Sequence, residues 1–208
     1  MLQIESVYTP VMNVVEVLGT MAFFMSGVRH AAQKHFDWFG GFVCGAAVAV
    51  GGGTLRDMML GATPFWMTSS LYIVCCMATM VLAVLFRTRV ERMNSTWMLF
   101  DTLGLALFTI AGLQKALAYG QPFWVAIIMG CVTGSAGGVI RDVLLNNVPV
   151  IFKREIYAMA SILGGVVYWV LVRWVCGDII ASVVTFIVVC AIRFVAVRWH
   201  ISLPSLRD

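Results

Sequence analysis

The sequence predicts an all-α integral membrane protein: seven transmembrane helices, arranged as two inverted three-helix repeats plus a seventh helix. Three observations predict it: an apolar excess with little charge, apolar runs of bilayer length, and a segment that recurs in register later in the chain. Of 208 residues, 61% are apolar and 12% charged, and the mean hydropathy is +0.94. Soluble domains carry about 45–50% apolar and about 25% charged residues. A single core of this length could not hide so much apolar surface from water, which excludes a soluble enzyme, a secreted disulfide scaffold and a disordered chain.

A hydrocarbon core of ~30 Å calls for runs of about 20 apolar residues. Seven are read in order. The N-terminal MLQIESVYTP has no basic n-region and no small-residue cleavage site, so the first run, Val11–Ala32, is expected to be a true span rather than a signal peptide. Phe39–Leu60 follows and holds a glycine triplet; Trp66–Phe86 is the third. Thr96–Ala118, Phe123–Leu145 and Ile156–Val172 repeat that order, and Ile179–Val197 closes the chain. The connections are short and polar. The runs do not alternate with a period of two, so a barrel is excluded and helices remain.

Basic residues set the expected orientation. One side carries Arg29, Lys34, Arg87, Arg89, Arg92, Lys153, Arg154, Arg198 and Arg207; the other carries only Lys115 and Arg173. The N-terminus is expected outside and the C-terminus in the cytoplasm. Trp38, Trp66, Trp97, Trp124, Trp169, Trp174 and Trp199 cluster near predicted helix ends, as interfacial anchors do.

The segment GGGTLRDMML (residues 51–60) returns as AGGVIRDVLL (residues 136–145), 85 residues later. The same offset, without a gap, pairs Glu16 with Asp101, Gly19 with Gly104, Phe23 with Phe108, Gly27 with Gly112, Gly45 with Gly130, Pro64 with Pro149 and Tyr72 with Tyr157. Residues 11–86 and 96–172 are therefore read as two copies of one unit, with 179–197 as the additional helix. Three spans per copy is an odd number, so the second copy enters the membrane from the opposite side. Inverted repeats of this kind occur in transporters and place a pathway near the midplane.

Gly51, Gly52 and Gly53 sit in the middle of the second span, and Gly134, Gly137 and Gly138 in the matching part of the fifth. Glycine costs about 1 kcal/mol relative to alanine inside a helix, so such runs invite a kink or a break. They also belong to small-residue stripes suited to close helix contact. Both effects are expected. One turn further come Arg56-Asp57 and Arg141-Asp142, with Glu16 and Asp101 as natural cross-helix partners for the arginines. Charges at the membrane centre cost about 2.5–3.5 kcal/mol on insertion scales, so buried ones are paired and tend to be functional. Two readings stay open: the pairs pin the fold, or they line a pathway. Arg141 lies nearer a membrane face and has the option of snorkelling, and Arg193 is expected to snorkel.

His30, His35 and His200 fall in predicted loops without metal-ligand spacing, and the six cysteines show no C-x-x-C pattern. No metal, cofactor or nucleic-acid partner is expected. Ser26, Ser135 and Ser161 lack a basic partner at a readable spacing, and there is no P-loop or dinucleotide motif. The chain is not expected to be an enzyme, and passive or ion-coupled permeation remains.

GGGTLRD, the second G-x-x-GGVIRDVL and the closing AVRWHISLP resemble the prokaryotic trimeric intracellular cation (TRIC) channels, over nearly the whole chain. The resemblance implies a homotrimer in a bacterial or archaeal plasma membrane. Each subunit would have its own pore, bounded by glycine-kinked second and fifth helices and permeable to potassium and other monovalent cations. The family's glycine motif maps onto Gly51, Gly52 and Gly53 and onto Gly137 and Gly138; Ala136 departs from the triplet, which implies a gentler second kink. Its arginine and aspartate map onto Arg56, Asp57, Arg141 and Asp142. The same sequence domain is also described as a glycine transporter, so a carrier of a small zwitterion stands as the alternative, and a non-transporting assembly protein as the third reading.

Overall fold

A computed structural model describes residues 2–86, 96–153, 156–199 and 201. His200 and the Arg87, Arg89, Arg92, Arg154 and Arg207 counted above lie outside the described residues. Eight helices appear among those described: α1 (Leu2–Gln33), α2 (Trp38–Met59), the single turn α3 (Phe65–Thr68), α4 (Leu71–Leu85), α5 (Thr96–Ala118), α6 (Phe123–Leu144), α7 (Ala158–Trp174) and α8 (Asp178–Arg198). A 3-10 turn at Val150–Phe152 precedes α7. α2, α6 and α8 are long and apolar enough to cross a membrane, while α4 and α7 are shorter apolar helices.

The expected third span, Trp66–Phe86, is divided into α3 and α4. Serine and threonine hydroxyls compete for backbone partners there. Thr68 Oγ1 donates to the Phe65 carbonyl at 2.7 Å, and Ser69 Oγ accepts from Leu71 N at 3.2 Å. Local bonds of this kind offer the chain an alternative to continuing the helix. The first span also differs, since α1 begins at Leu2.

The helix ends show why the two halves keep register. α1 closes with Phe36 N–H donating to the Ala31 carbonyl, and α5 closes with Gln121 N–H donating to that of Ala116. α2 closes with Ala62 N–H on the Asp57 carbonyl, and α6 with Asn147 N–H on that of Asp142. Each is a Schellman closure, which needs a left-handed residue just past the helix. His35 (φ 59°) and Gly120 (φ 73°) fill that position after α1 and α5, and Gly61 (φ 69°) and Asn146 (φ 53°) fill it after α2 and α6.

α1, α2, α5 and α6 form the centre, packed α1 on α2, α5 on α6, α1 on α5 and α2 on α6. α4 lies against α1, α7 against α6, and α8 against α7 and α5. The contacts between matched helices are reciprocal. Gly19 faces the Phe108 ring and Gly104 faces the Phe23 ring, and the two phenyls stack with centroids 5.3 Å apart and planes 9° from parallel. Gly52 lies against the Thr133 carbonyl and Gly137 against that of Val48. In both pairs the residue number falls along one helix as it rises along the other, an antiparallel register.

The outer surface is apolar: Leu18, Val43, Met77, Val81, Ile128, Val183 and Ile187 are all exposed. Contiguous apolar surface of that extent suits lipid contact and not water. Trp38, Trp124, Trp174 and Trp199 are exposed at helix ends.

Gly61→Ala is expected to lower stability by about 1–2 kcal/mol, because a Cβ strains the left-handed position. Gly61→Asn, the residue found at position 146, costs less. Thermal unfolding of the detergent-purified protein checks both.

Candidate functional site

Two clusters of buried charge occupy matched positions. In the first, Arg56 is fully buried near the end of α2. Its Nε donates to Asp57 Oδ1 at 2.7 Å and its Nη2 to Glu16 Oε1 at 2.9 Å. Tyr72 donates its hydroxyl to Glu16 Oε2 at 2.9 Å, and the Phe65 ring lies 5.5 Å from the guanidinium carbon. Asp57 is shared further. Its Oδ2 accepts from Phe65 N at 2.7 Å, and its Oδ1 pairs with Lys115 Nζ at 2.9 Å.

The second cluster repeats the plan. Arg141 Nε donates to Asp142 Oδ1 at 2.9 Å, and its Nη1 pairs with Asp101 Oδ1 and reaches Ser26 Oγ at 3.1 Å. Asp142 Oδ2 accepts from Val150 N at 2.9 Å, the counterpart of the Phe65 bond. Tyr157 is buried beside it, with Arg193 of α8 4.7 Å from its ring. Arg193 also donates from Nη1 to the Ile156 carbonyl at 3.0 Å.

Asp57 and Asp142 thus each hold a guanidinium and a backbone N–H at once. Removing two such charges from water costs several kcal/mol per ion, and only dense pairing and extra hydrogen bonds offset it. The first cluster balances Arg56 and Lys115 against Glu16 and Asp57. Arginine suits this task because its planar fork serves two acceptors in fixed directions.

The glycines have separate duties. α-helix runs unbroken through Gly51–Gly53 and through Gly134–Gly138, so neither run interrupts its helix. A Cβ at Gly52 would strike the Thr133 carbonyl, and one at Gly137 would sit 2.5 Å from the Val48 carbonyl. A Cβ at Gly53 would collide with the Phe65 ring, one at Gly138 would lie 2.8 Å from the Tyr157 hydroxyl, and one at Gly134 would lie 2.9 Å from the Leu105 carbonyl. Gly51 meets only the far end of the Ile140 side chain, which can swing away. That accounts for alanine at the matched position 136.

Five residues lie elsewhere than the sequence suggests. Arg193 does not snorkel: it is 1% exposed and held against Ile156 and Tyr157. Arg141, also 1% exposed, is drawn inward by its carboxylates. His30 is not in a loop but half-buried in α1, its Nδ1 2.8 Å from the Ser26 carbonyl. Arg29 and Lys115, counted above toward the charge of the two membrane faces, both lie in helices; Arg29 is buried, and Lys115 belongs to the first cluster. The signal for Lys115 was its place inside an apolar run, opposite a carboxylate-bearing helix end.

Fold and surface define a multi-pass membrane protein whose central helices are held by buried ion pairs. A family model described as "Glycine transporter" matches residues 13–88 and again residues 98–173. The UPF0126 membrane protein of Vibrio cholerae serotype O1 is 39% identical over 200 residues, which are 95% of this chain and 83% of that protein. The UPF0126 inner membrane protein YadS of Escherichia coli K12 is 39% identical over 194 residues, 91% of this chain and 93% of that one. The solved TRIC trimeric intracellular cation channel orthologue from Rhodobacter sphaeroides superposes with a TM-score of 0.86 at 32% identity, over 92% of this chain and 99% of that chain. The chain belongs to this family of membrane transport proteins, which takes in the prokaryotic TRIC channels and is not a family of enzymes.

Three substitutions test the packing and pairing. Arg56→Ala leaves two buried carboxylates short of a partner and is expected to destabilise by about 3–5 kcal/mol. Gly52→Ala is expected to cost about 1–3 kcal/mol through overpacking against backbone, with Gly51→Ala near neutral. Unfolding midpoints in detergent separate the three.

Proposed function

We propose that the protein is a monovalent-cation channel, permeable to potassium, with a pore inside each subunit of a homotrimer. Similarity to a solved cation channel over almost the whole chain carries this reading. The two charge clusters support it physically. An uncompensated arginine would repel a permeant cation, but Arg56 and Arg141 each meet two carboxylates. The glycines at 51–53, 134, 137 and 138 act at the narrow point. Gly52 and Gly137 hold α2 and α6 in backbone contact, and the glycine runs let the helices bend when the path opens.

The same proposal treats residues 11–86 and 96–172 as inverted repeats. Reciprocal, antiparallel contacts between matched helices are what a twofold axis in the membrane plane produces, and the family model matches twice at the 85-residue offset. Glu16, Arg56, Asp57 and their mates Asp101, Arg141 and Asp142 then flank the pathway from opposite faces. The basic-residue count puts the N-terminus outside and the C-terminus in the cytoplasm, with lipid around the trimer.

One observation favours a second reading, a carrier of a small zwitterion: the description of the matching family model is a glycine transporter. Bilayer recording separates the two. A channel gives unitary currents whose reversal potential follows the potassium gradient. Silence or anion-selective current, with saturable uptake of labelled glycine into proteoliposomes, would establish the carrier instead.

A further inference from the structure

The two halves fill one crevice and leave its counterpart open. Against α5 and α7 lies α8: Gly164 faces the side chains of Val189 and Thr185, and Gln114 Nε2 donates to Ser182 Oγ at 2.8 Å and to the Tyr168 hydroxyl at 3.2 Å. The positions 85 residues earlier are Thr79 for Gly164 and Arg29 for Gln114. Here, between α1 and α4, no helix among the described residues takes the place of α8. What remains is an apolar groove of about 540 Å³, to which α1 gives Leu18, Met21 and Met25, α4 gives Thr79 and Leu82, and α8 gives Phe186. Leu18 and Leu82 are exposed, so the groove opens toward lipid.

Arg29 stands one turn beyond Met25 on the same stripe of α1, in the last turns before that helix ends at Gln33. Helical side chains lean toward the N-terminus, which directs this one back over Met25 and the groove. It is 8% exposed, its Nε is buried without a hydrogen-bond partner, and no carboxylate among the described residues pairs with it. Those carboxylates are engaged elsewhere: Glu16, Asp57, Asp101 and Asp142 with arginines, Asp37 with the Gly40 N–H, and Asp178 with the Tyr168 hydroxyl. Burial penalises a cation that lacks a counter-charge. Whatever completes this crevice must be apolar along most of its length and anionic at one end. A helix of a second copy meets the first requirement, but the described acids of this chain are already taken. A phospholipid meets both.

We propose that the groove between α1 and α4 is a binding site for an anionic phospholipid, with an acyl chain along Met21, Met25 and Leu82 and the phosphate on the Arg29 guanidinium. Basic pockets between membrane helices hold lipid head groups in this way, and the planar fork of arginine meets phosphate through two parallel bonds. The site does not depend on what the protein conducts.

Full-length protein, stripped of lipid in a neutral detergent, is titrated with phosphatidylglycerol, with phosphatidylcholine of the same chains, and with inorganic phosphate. Bound lipid is counted by native mass spectrometry, and the unfolding midpoint is followed alongside. Wild type is expected to hold phosphatidylglycerol on the order of tenfold more tightly than phosphatidylcholine, the scale of one charge-assisted hydrogen bond, and to gain thermal stability from it. Arg29→Gln, which installs the residue found at position 114, should bring the two lipids level, and Arg29→Lys should keep most of the preference. Leu82→Trp, which narrows the groove and leaves the charge, should weaken both lipids. Equal binding of the two lipids by wild type, or a preference that survives Arg29→Gln, overturns the inference. Inorganic phosphate that stabilises as well as phosphatidylglycerol overturns it too, since the groove then plays no part. Stability that rises with protein concentration and ignores lipid puts a second copy in the groove instead. The wild-type comparison needs no variant to fold.

Discussion

The bond from an aspartate carboxylate to a backbone N–H eight residues downstream is what the rest of the structure depends on. Asp57 holds Phe65 N in this way, and Asp142 holds Val150 N. Each aspartate follows the arginine it pairs with, near the end of a central helix. Proline stands before each captured N–H, at Pro64 and Pro149, and begins the turn without offering a donor of its own. One carboxylate therefore fixes the arginine's direction and the path by which the chain leaves the helix. The arginine, so aimed, reaches the acid of the neighbouring helix. Breaking the first bond would free both.

Around these anchors the central helices approach more closely than ordinary side chains allow. Backbone meets backbone where α2 crosses α6, and an aromatic ring fills the space left by glycine where α1 crosses α5. Lipid gives helices no hydrophobic reason to associate, so close packing and buried polar contacts must supply the cohesion. Here they are adjacent in sequence: Gly52 and Gly53 make the contacts, and Arg56 and Asp57 make the pairs. The short motif combines a packing surface with an electrostatic lock.

Much of this was legible in the sequence because it rests on chemistry that one residue announces by itself. A glycine triplet or an arginine inside an apolar run is anomalous wherever it occurs, and its recurrence 85 residues later removes coincidence. α5 falls on the very bounds read from hydropathy, Thr96–Ala118. What escaped depends on partners distant in the chain. Arg193 looks like a snorkelling residue until Tyr157 and the Ile156 carbonyl are seen beside it. Lys115 counts only as a charge that marks one membrane face until Asp57 is found within reach. The division of the third run at Ser69 reflects competition among hydroxyl groups, which hydropathy averages away.

The stacked pair Phe23 and Phe108 places one ring against its own counterpart. Were the two halves separate and identical chains, any substitution there would be made twice, and the new side chain would have to fit against itself. Carrying both positions in one polypeptide removes that requirement. Each half is free to be edited alone, as arginine against glutamine and alanine against glycine already illustrate. The chain keeps the packing of a symmetric pair while acquiring two ends that need not behave alike.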